Sequence, residues 1–424
     1  MPVRHSVVSP SNSPLAVALM FSANGFALAS LLSRIPDIRD QIGASATELA
    51  FALVCLGIGS LIGMPFTDRL IDRYSSRWVN RTAASVRIAG YLILPLIGSV
   101  PVLALLLLIT GIGMGAGAVA MNVQGHLVET RRSQVWMPFW HALFSCGAAV
   151  GALAGALAAS LHFPLIGQMV IVSLIVQIVI WKATTSFVLD SGLHLGRTIG
   201  PVKEPIFDES QAFAEARVSM SHYQQPAITL TEMALAVIAL VTSVGEGTAN
   251  NWLAVMLVDN RGVPTSIGAL TFAGFNATMA LGRFTGGVLI QRFGRTLVLR
   301  FAGALACTGL ALLCLVYSVP GALVSSLALG LGLSIGFPAT MSALGEAPGR
   351  GPRAIALVSA IAAGGSLVAA PCFGFLTGVM ALDHALLIVA GLLVLIAIFA
   401  PFAREQRLAR PETRSQVVGE RSSR

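Results

Sequence analysis

Gly287-Val288-Leu289-Ile290-Gln291-Arg292-Phe293-Gly294-Arg295 is a short basic stretch, flanked by glycine, between two long apolar runs. Asp68-Arg69-Leu70-Ile71-Asp72-Arg73-Tyr74-Ser75-Ser76-Arg77 occupies the same kind of place earlier in the chain. At an offset of 219 residues (72 to 291), Asp72-Arg73 falls on Gln291-Arg292. The same offset lays Gly111, Gly113 and Gly117 on Gly330, Gly332 and Gly336, Gly155 on Gly374, and Gly43 on Gly262. A single offset shared by three apolar runs and a loop describes a chain built twice. Both copies start on the same side, so the repeat is parallel, a design used by proteins that rock two bundles about a central site.

What surrounds these stretches decides the medium. The chain has 424 residues, 55% hydrophobic and 11% charged, with a mean hydropathy of +0.80. Soluble domains are about one quarter charged. This composition leaves too little polar surface for a water-soluble globule and excludes a disordered chain. Apolar runs lie near residues 14–34, 47–67, 83–99, 102–125, 137–159, 163–181, 228–250, 265–289, 297–316, 320–343, 354–379 and 383–402. Lipid supplies no hydrogen bonds to the backbone, so each run must be a helix. The alternation of a membrane barrel strand is missing. The predicted fold is an all-α membrane protein with twelve transmembrane helices in two six-helix bundles. The first run follows Arg4 and His5 and ends in Ala27-Leu28-Ala29, the outline of a signal peptide. It is read as a span, because it has a repeat partner and its removal leaves an odd number of helices.

Charge sets the expected orientation. The N-terminus and alternate connections carry 22 of the 27 Lys and Arg residues, and the opposite connections carry Arg34, Arg39 and Arg261. By the positive-inside rule both termini are cytoplasmic. The most polar stretch, with Pro201, Pro205 and Pro226, splits six runs from six. The expected division is 1–181 (first bundle), 182–227 (cytoplasmic linker, with a short surface helix around Gln211–Val218), 228–402 (second bundle) and 403–424 (cytoplasmic tail). The formal charge of +8 is spread over short loop clusters, which does not make a nucleic-acid face. Cys55, Cys146, Cys307, Cys314 and Cys372 lie in apolar runs without metal-ligand spacing and read as small core residues. No metal or cofactor is expected.

With its two basic stretches, twelve runs and six-plus-six split, the chain resembles the major facilitator superfamily, whose cytoplasmic loop motif reads close to Gly-x-x-x-Asp-Arg-x-Gly-x-Arg. One copy keeps Asp72, Arg73 and Arg77 but has Asp68 and Ser75 for the glycines. The other keeps Gly287, Arg292, Gly294 and Arg295 but has Gln291 for the acid. The chain looks closest to bacterial inner-membrane members with no assigned substrate, with weaker similarity to sugar-proton symporters. The resemblance implies alternating access, with the first, fourth, seventh and tenth helices lining the cavity. Within it, the Asp72 carboxylate is expected to accept charge-assisted hydrogen bonds and latch one state of the two bundles.

Polar residues inside the runs are the site candidates. Glu246 comes first. A carboxylate facing lipid costs about 2.5–3.5 kcal/mol, so it is expected to face a cavity or partner, in the outer half of a helix that Gly245 and Gly247 weaken. His141 is the second proton-coupling candidate, since histidine titrates near neutrality. Asn24, Asn122, Ser243, Asn251 and Asn276 are candidate cavity residues. Glu129 reads as a solvated helix end, Arg34 and Asp37 as an outer gate pair, and Arg283 as a cation that snorkels to the cytoplasmic face. Gly59/Gly63, Gly147/Gly151/Gly155, Gly282/Gly286 and Gly332/Gly336 are spaced by four, which lets helices pack closely. The expected function is transport of a small organic solute, proton-coupled, by a monomer in the bacterial inner membrane. An efflux antiporter is the alternative. A membrane enzyme lacks a catalytic cluster here, and a transporter-like receptor predicts binding without flux.

Overall fold

The computed structural model describes residues 13–132, 136–188, 190, 228–346, 351–377 and 379–404. Among the described residues every regular element is helical. The first half comprises α1 (Ser13–Leu32), α2 (Ile35–Ile42), α3 (Ala46–Tyr74), α4 (Ser76–Ile93), α5 (Val100–Arg132), α6 (Met137–Ser160) and α7 (Leu165–Thr185). The second comprises α8 (Leu230–Arg261), α9 (Thr265–Phe293), α10 (Arg295–Leu315), α11 (Val319–Leu333), α12 (Gly336–Gly345), α13 (Gly351–Thr377) and α14 (Leu382–Phe399). Because α1–α2 and α11–α12 are each one broken span, the chain forms twelve transmembrane segments in two six-helix bundles. Nine segments of the described residues are long and apolar enough to cross a membrane by length and composition alone; α4, α9 and α13 complete the set.

The breaks have local causes. Pro36 opens α2 after the turn at Ser33-Arg34. Pro338, in the first turn of α12, has no N–H for the carbonyl of Ser334, so the tenth span divides there. The expected boundaries shift elsewhere. The seventh helix is unbroken through Gly245 and Gly247 to Arg261, which moves Glu246 from the outer half to midway between Leu230 and Arg261. The third begins at Ser76 rather than near 83. The surface helix expected around Gln211–Val218 and most of the expected tail lie outside the described residues.

The repeat is visible in the backbone. Gly43 and Gly262 end α2 and α8 with φ of 64° and 62°. Ser75 and Gly294, again 219 apart, join α3 to α4 and α9 to α10 with φ of 115° and 80°. A left-handed φ suits glycine and strains serine by about 1–3 kcal/mol. Ser75 also accepts a hydrogen bond from the Trp78 amide at 3.3 Å, a cap whose replacement by glycine costs only a few tenths of a kcal/mol. Ser75→Gly is therefore expected to raise the melting temperature of the purified protein; an unchanged or lower value would remove the strain argument.

Glycine sets the helix spacing. A β-carbon at Gly59 or Gly63 would collide with the carbonyls of Leu108 or Ile112 on α5, and one at Gly111 or Gly115 with those of Leu56 or Ser60 on α3. Gly147 and Gly151 of α6 lie equally close to Ser22 and Phe26 of α1. The rows spaced by four are thus crossing points of backbones. The outer surface is apolar, with Leu157, Val288 and Phe301 more than half exposed, as lipid-facing helices require.

Each half is tied at its arginine-rich end by a different device. In the first, buried Gln124 of α5 donates to Ser76 Oγ at 2.7 Å and to the Val188 carbonyl at 2.9 Å, while Asp190 accepts from the Ser76 amide at 2.9 Å. In the second, Arg295 reaches Glu346 (Nη2–Oε1 2.5 Å), Ser342 Oγ (3.1 Å) and the Ala403 carbonyl (3.2 Å). Both devices join the start of a half's third span to its fourth span and to the chain after its sixth.

Candidate functional site

The halves meet along two helix pairs, α6 with α9 and α3 with α13, and α2 and α1 touch α8. Arg283 of α9 lies on the α6 seam. Its Nη2 donates to both carboxylate oxygens of Glu246 on α8, at 3.1 and 3.2 Å, and its Nη1 donates to Ser145 Oγ on α6 at 2.6 Å. The side chain of Arg283 is 15% exposed and that of Glu246 30%. Arg283 thus does not snorkel. A cation and a half-buried carboxylate on adjacent spans lower their energy by pairing, and the hydrogen bond to Ser145 carries that pair across the interface.

His141 stands one turn before Ser145 on α6, and its ring meets Phe21 of α1 edge-on at 5.1 Å. Its side chain is exposed and lies within electrostatic reach of Arg283. Glu246 and His141 therefore flank the same guanidinium. Ser243 is half-buried one turn before Glu246 on α8.

The candidate asparagines divide. Asn24 Oδ1 accepts from Arg87 Nη1 at 2.5 Å, and its Nδ2 lies 2.7 Å from the Met20 carbonyl and 3.5 Å from Met121 Sδ. Asn122 Oδ1 is enclosed and has no hydrogen-bond partner among the described residues. Asn251 and Asn276 turn back on their own helices, to the Gly247 carbonyl at 2.8 Å and the Phe272 carbonyl at 3.0 Å. Asn251 sits next to fully buried Trp252, inside α8 rather than beyond its end.

The basic loops are less alike than their sequences. Asp72 is exposed and has no hydrogen bond or ion pair among the described residues, whereas Asp190 caps the start of α4. Asp68, one turn earlier, has a polar partner. Arg73 lies over Tyr74 and Arg292 over Phe293, while Arg77 donates to the Thr185 carbonyl at 3.1 Å. Gly287 has open space around it, and Gly294 and Arg295 form the turn and tie described above. Glu129 is no solvated helix end. It is 2% exposed and accepts from the backbone amides of Trp136 and Met137, at 2.5 and 2.7 Å, capping α6.

At the opposite end, Arg34 pairs with Asp37 and also donates to Gln168 Oε1 at 2.5 Å. The contacts that cross between the halves are made by Asp37 itself and by nearby Arg39. Asp37 accepts from Thr265 Oγ1 at 2.9 Å, and Arg39 pairs with Asp259 of α8 while holding Asp40 at 2.6 Å. Asp40 and Asp259 are repeat equivalents, so one arginine lies between symmetry-related carboxylates.

Two duplicated bundles of membrane-spanning helices are the architecture of a membrane transport protein. The chain belongs to the Major Facilitator Superfamily, whose profile matches residues 15–202 and 235–423. It is 28% identical over 398 residues to an uncharacterized MFS-type transporter of Yersinia pestis, covering 93% of this chain and 97% of that one. It is 26% identical over 390 residues to an uncharacterized transporter of Sinorhizobium fredii, covering 92% and 97%. Membrane protein MosC of Rhizobium meliloti is 22% identical over 403 residues, covering 94% and 91%. The crystal structure of the nucleoside transporter NupG shares the fold, with a TM-score of 0.69 and 14% identity over 93% of this chain and 100% of that one.

Proposed function

We propose that this transporter moves a small organic solute by alternating access, coupled to protons, in the inner membrane of a bacterium. Both termini and the 182–227 linker are assigned to the cytoplasmic face on the distribution of arginine between loops. One observation carries the coupling proposal: Arg283 is shared between Glu246 of its own half and Ser145 of the other. Protonation of Glu246 removes the charge that holds the guanidinium on α8. The bond to Ser145 and the neighbouring His141 then govern where Arg283 rests, so proton arrival alters the contact between halves. A ligand shifts such an equilibrium only through its different affinity for the two states, and here the proton is that ligand.

The test uses Glu246→Gln in proteoliposomes, with a solute that stabilises the purified protein in a thermal-shift panel. Exchange of solute should persist, while uptake driven by a proton gradient should fall by at least an order of magnitude. Gradient-driven uptake equal to that of the unmodified protein would remove Glu246 from coupling.

A further inference from the structure

Arg87 is a second cation held inside the membrane-spanning region, and among the described residues no carboxylate pairs with it. It lies midway along α4, 5% exposed. Its single hydrogen bond runs from Nη1 to Asn24 Oδ1 of α1, at 2.5 Å. Nε and Nη2 are buried and have no partner among the described residues. The titratable group that acts on it is Tyr91, a phenol and neutral at pH 7. By contrast, the guanidinium of Arg283 is matched by Glu246. Among the described residues Arg87 has no such match.

The unfilled positions are specific. Nε–H and one Nη2–H point the same way from one edge of the planar guanidinium, spaced like the two oxygens of a carboxylate. Asn24 takes the other side. Asn24 is half-buried and touches Met121, which places the guanidinium at the seam between α1 and α5. Burying a charged fork with two donors unpaired is costly, and a site built to hydrogen-bond a group discriminates strongly against solutes that lack it. We propose that the free edge of Arg87, positioned by Asn24, is the carboxylate-recognition element of the transport site, and that the solute is an organic anion bearing a carboxylate. This rests on the transporter reading above. When the two halves rock, the Nε–Nη2 edge opens to the solute while Asn24 keeps its hold on Nη1.

The test uses the full-length purified protein and a bacterial small-molecule extract, separated by anion exchange into a retained anionic fraction and a neutral and cationic flow-through. The anionic fraction should raise the melting temperature. Converting its carboxylates to methylamides should abolish the shift, and Arg87→Gln should abolish it without loss of yield. Asn24→Asp guards against misfolding of the Gln variant. It sets a carboxylate against Arg87, and should raise the melting temperature of the unliganded protein while removing the response to the anionic fraction. A shift from the flow-through that survives in Arg87→Gln overturns the carboxylate site and leaves the transporter standing. So does a shift from the anionic fraction that survives amidation. No shift from either fraction also overturns the carboxylate site.

Discussion

Arg283→Leu should stop transport and lower stability together, and the double variant Arg283→Leu/Glu246→Leu should recover the stability alone. Arg283 is mostly enclosed on the α6–α9 seam, and its removal strands Glu246 without its cation. Breaking one side of an enclosed pair is destabilising, because the remaining charge loses its partner where water can replace it only in part. Replacing both members by well-packed apolar groups is often neutral. The melting temperature should therefore fall in the single variant and return in the double. Solute exchange and gradient-driven uptake should remain lost in both, since neither retains the group that Glu246 and Ser145 share. Arg283→Lys keeps the charge but not the fork that spans both partners, so it should retain stability with slowed transport. Wild-type uptake in the double variant would reduce the pair to a structural role.

The second large effect is expected at the opposite end of the molecule. Arg39→Glu replaces the cation between Asp40 and Asp259 with a third carboxylate, beside Asp37. The lost pairing and the new repulsion together amount to about 2 kcal/mol, a factor of roughly 30 in the balance between states closed and open at this end. Spin labels at the ends of α2 and α8 should report a longer distance, and transport should slow because closure has become the difficult step. Combining Arg39→Glu with Asp259→Arg should restore the short distance. If the short distance persists in Arg39→Glu, the clasp does not set the closed state. High salt should weaken the native clasp only modestly, as the Arg39 side chain is 13% exposed.

Much of the fold was legible because lipid permits so few solutions. Long apolar runs must be helices, loop arginines alternate, and a single offset of 219 residues fixes the duplication. That offset reappears in the paired left-handed turns at Gly43 and Gly262 and at Ser75 and Gly294. Glycines spaced by four announced the crossings of α3 with α5 and of α1 with α6.

The site was legible only as a set of residue types. Glu246 stood out as an acid in an apolar run, but its partner is 37 residues away on another helix, a relation no helical period encodes. Arg283 reads as a snorkelling cation only while α8 and α9 are considered singly. Arg87 was hidden by a boundary. Hydropathy starts the third span near residue 83, because Arg77 and Arg81 interrupt it. The turn at Ser75 and the Asp190 cap begin the helix at Ser76, which puts Arg87 at its middle. The loop motif pointed to Asp72, while the carboxylate that caps α4 comes from Asp190, 114 residues beyond Ser76.

Helix α4 also constrains how the molecule is made. It carries Arg77, Arg81 and Arg87 in 18 residues. A central arginine alone costs about 2.5–3.5 kcal/mol on the scale of insertion from the translocon, so this segment has little tendency to partition into lipid by itself. Asn24, emerging from the ribosome earlier, supplies the one hydrogen bond Arg87 makes, and Thr184 of α7 later receives Arg81 at 2.8 Å. The third span is thus expected to be a passenger of its neighbours during biogenesis, entering the bilayer against α1 and secured once α7 has been synthesised.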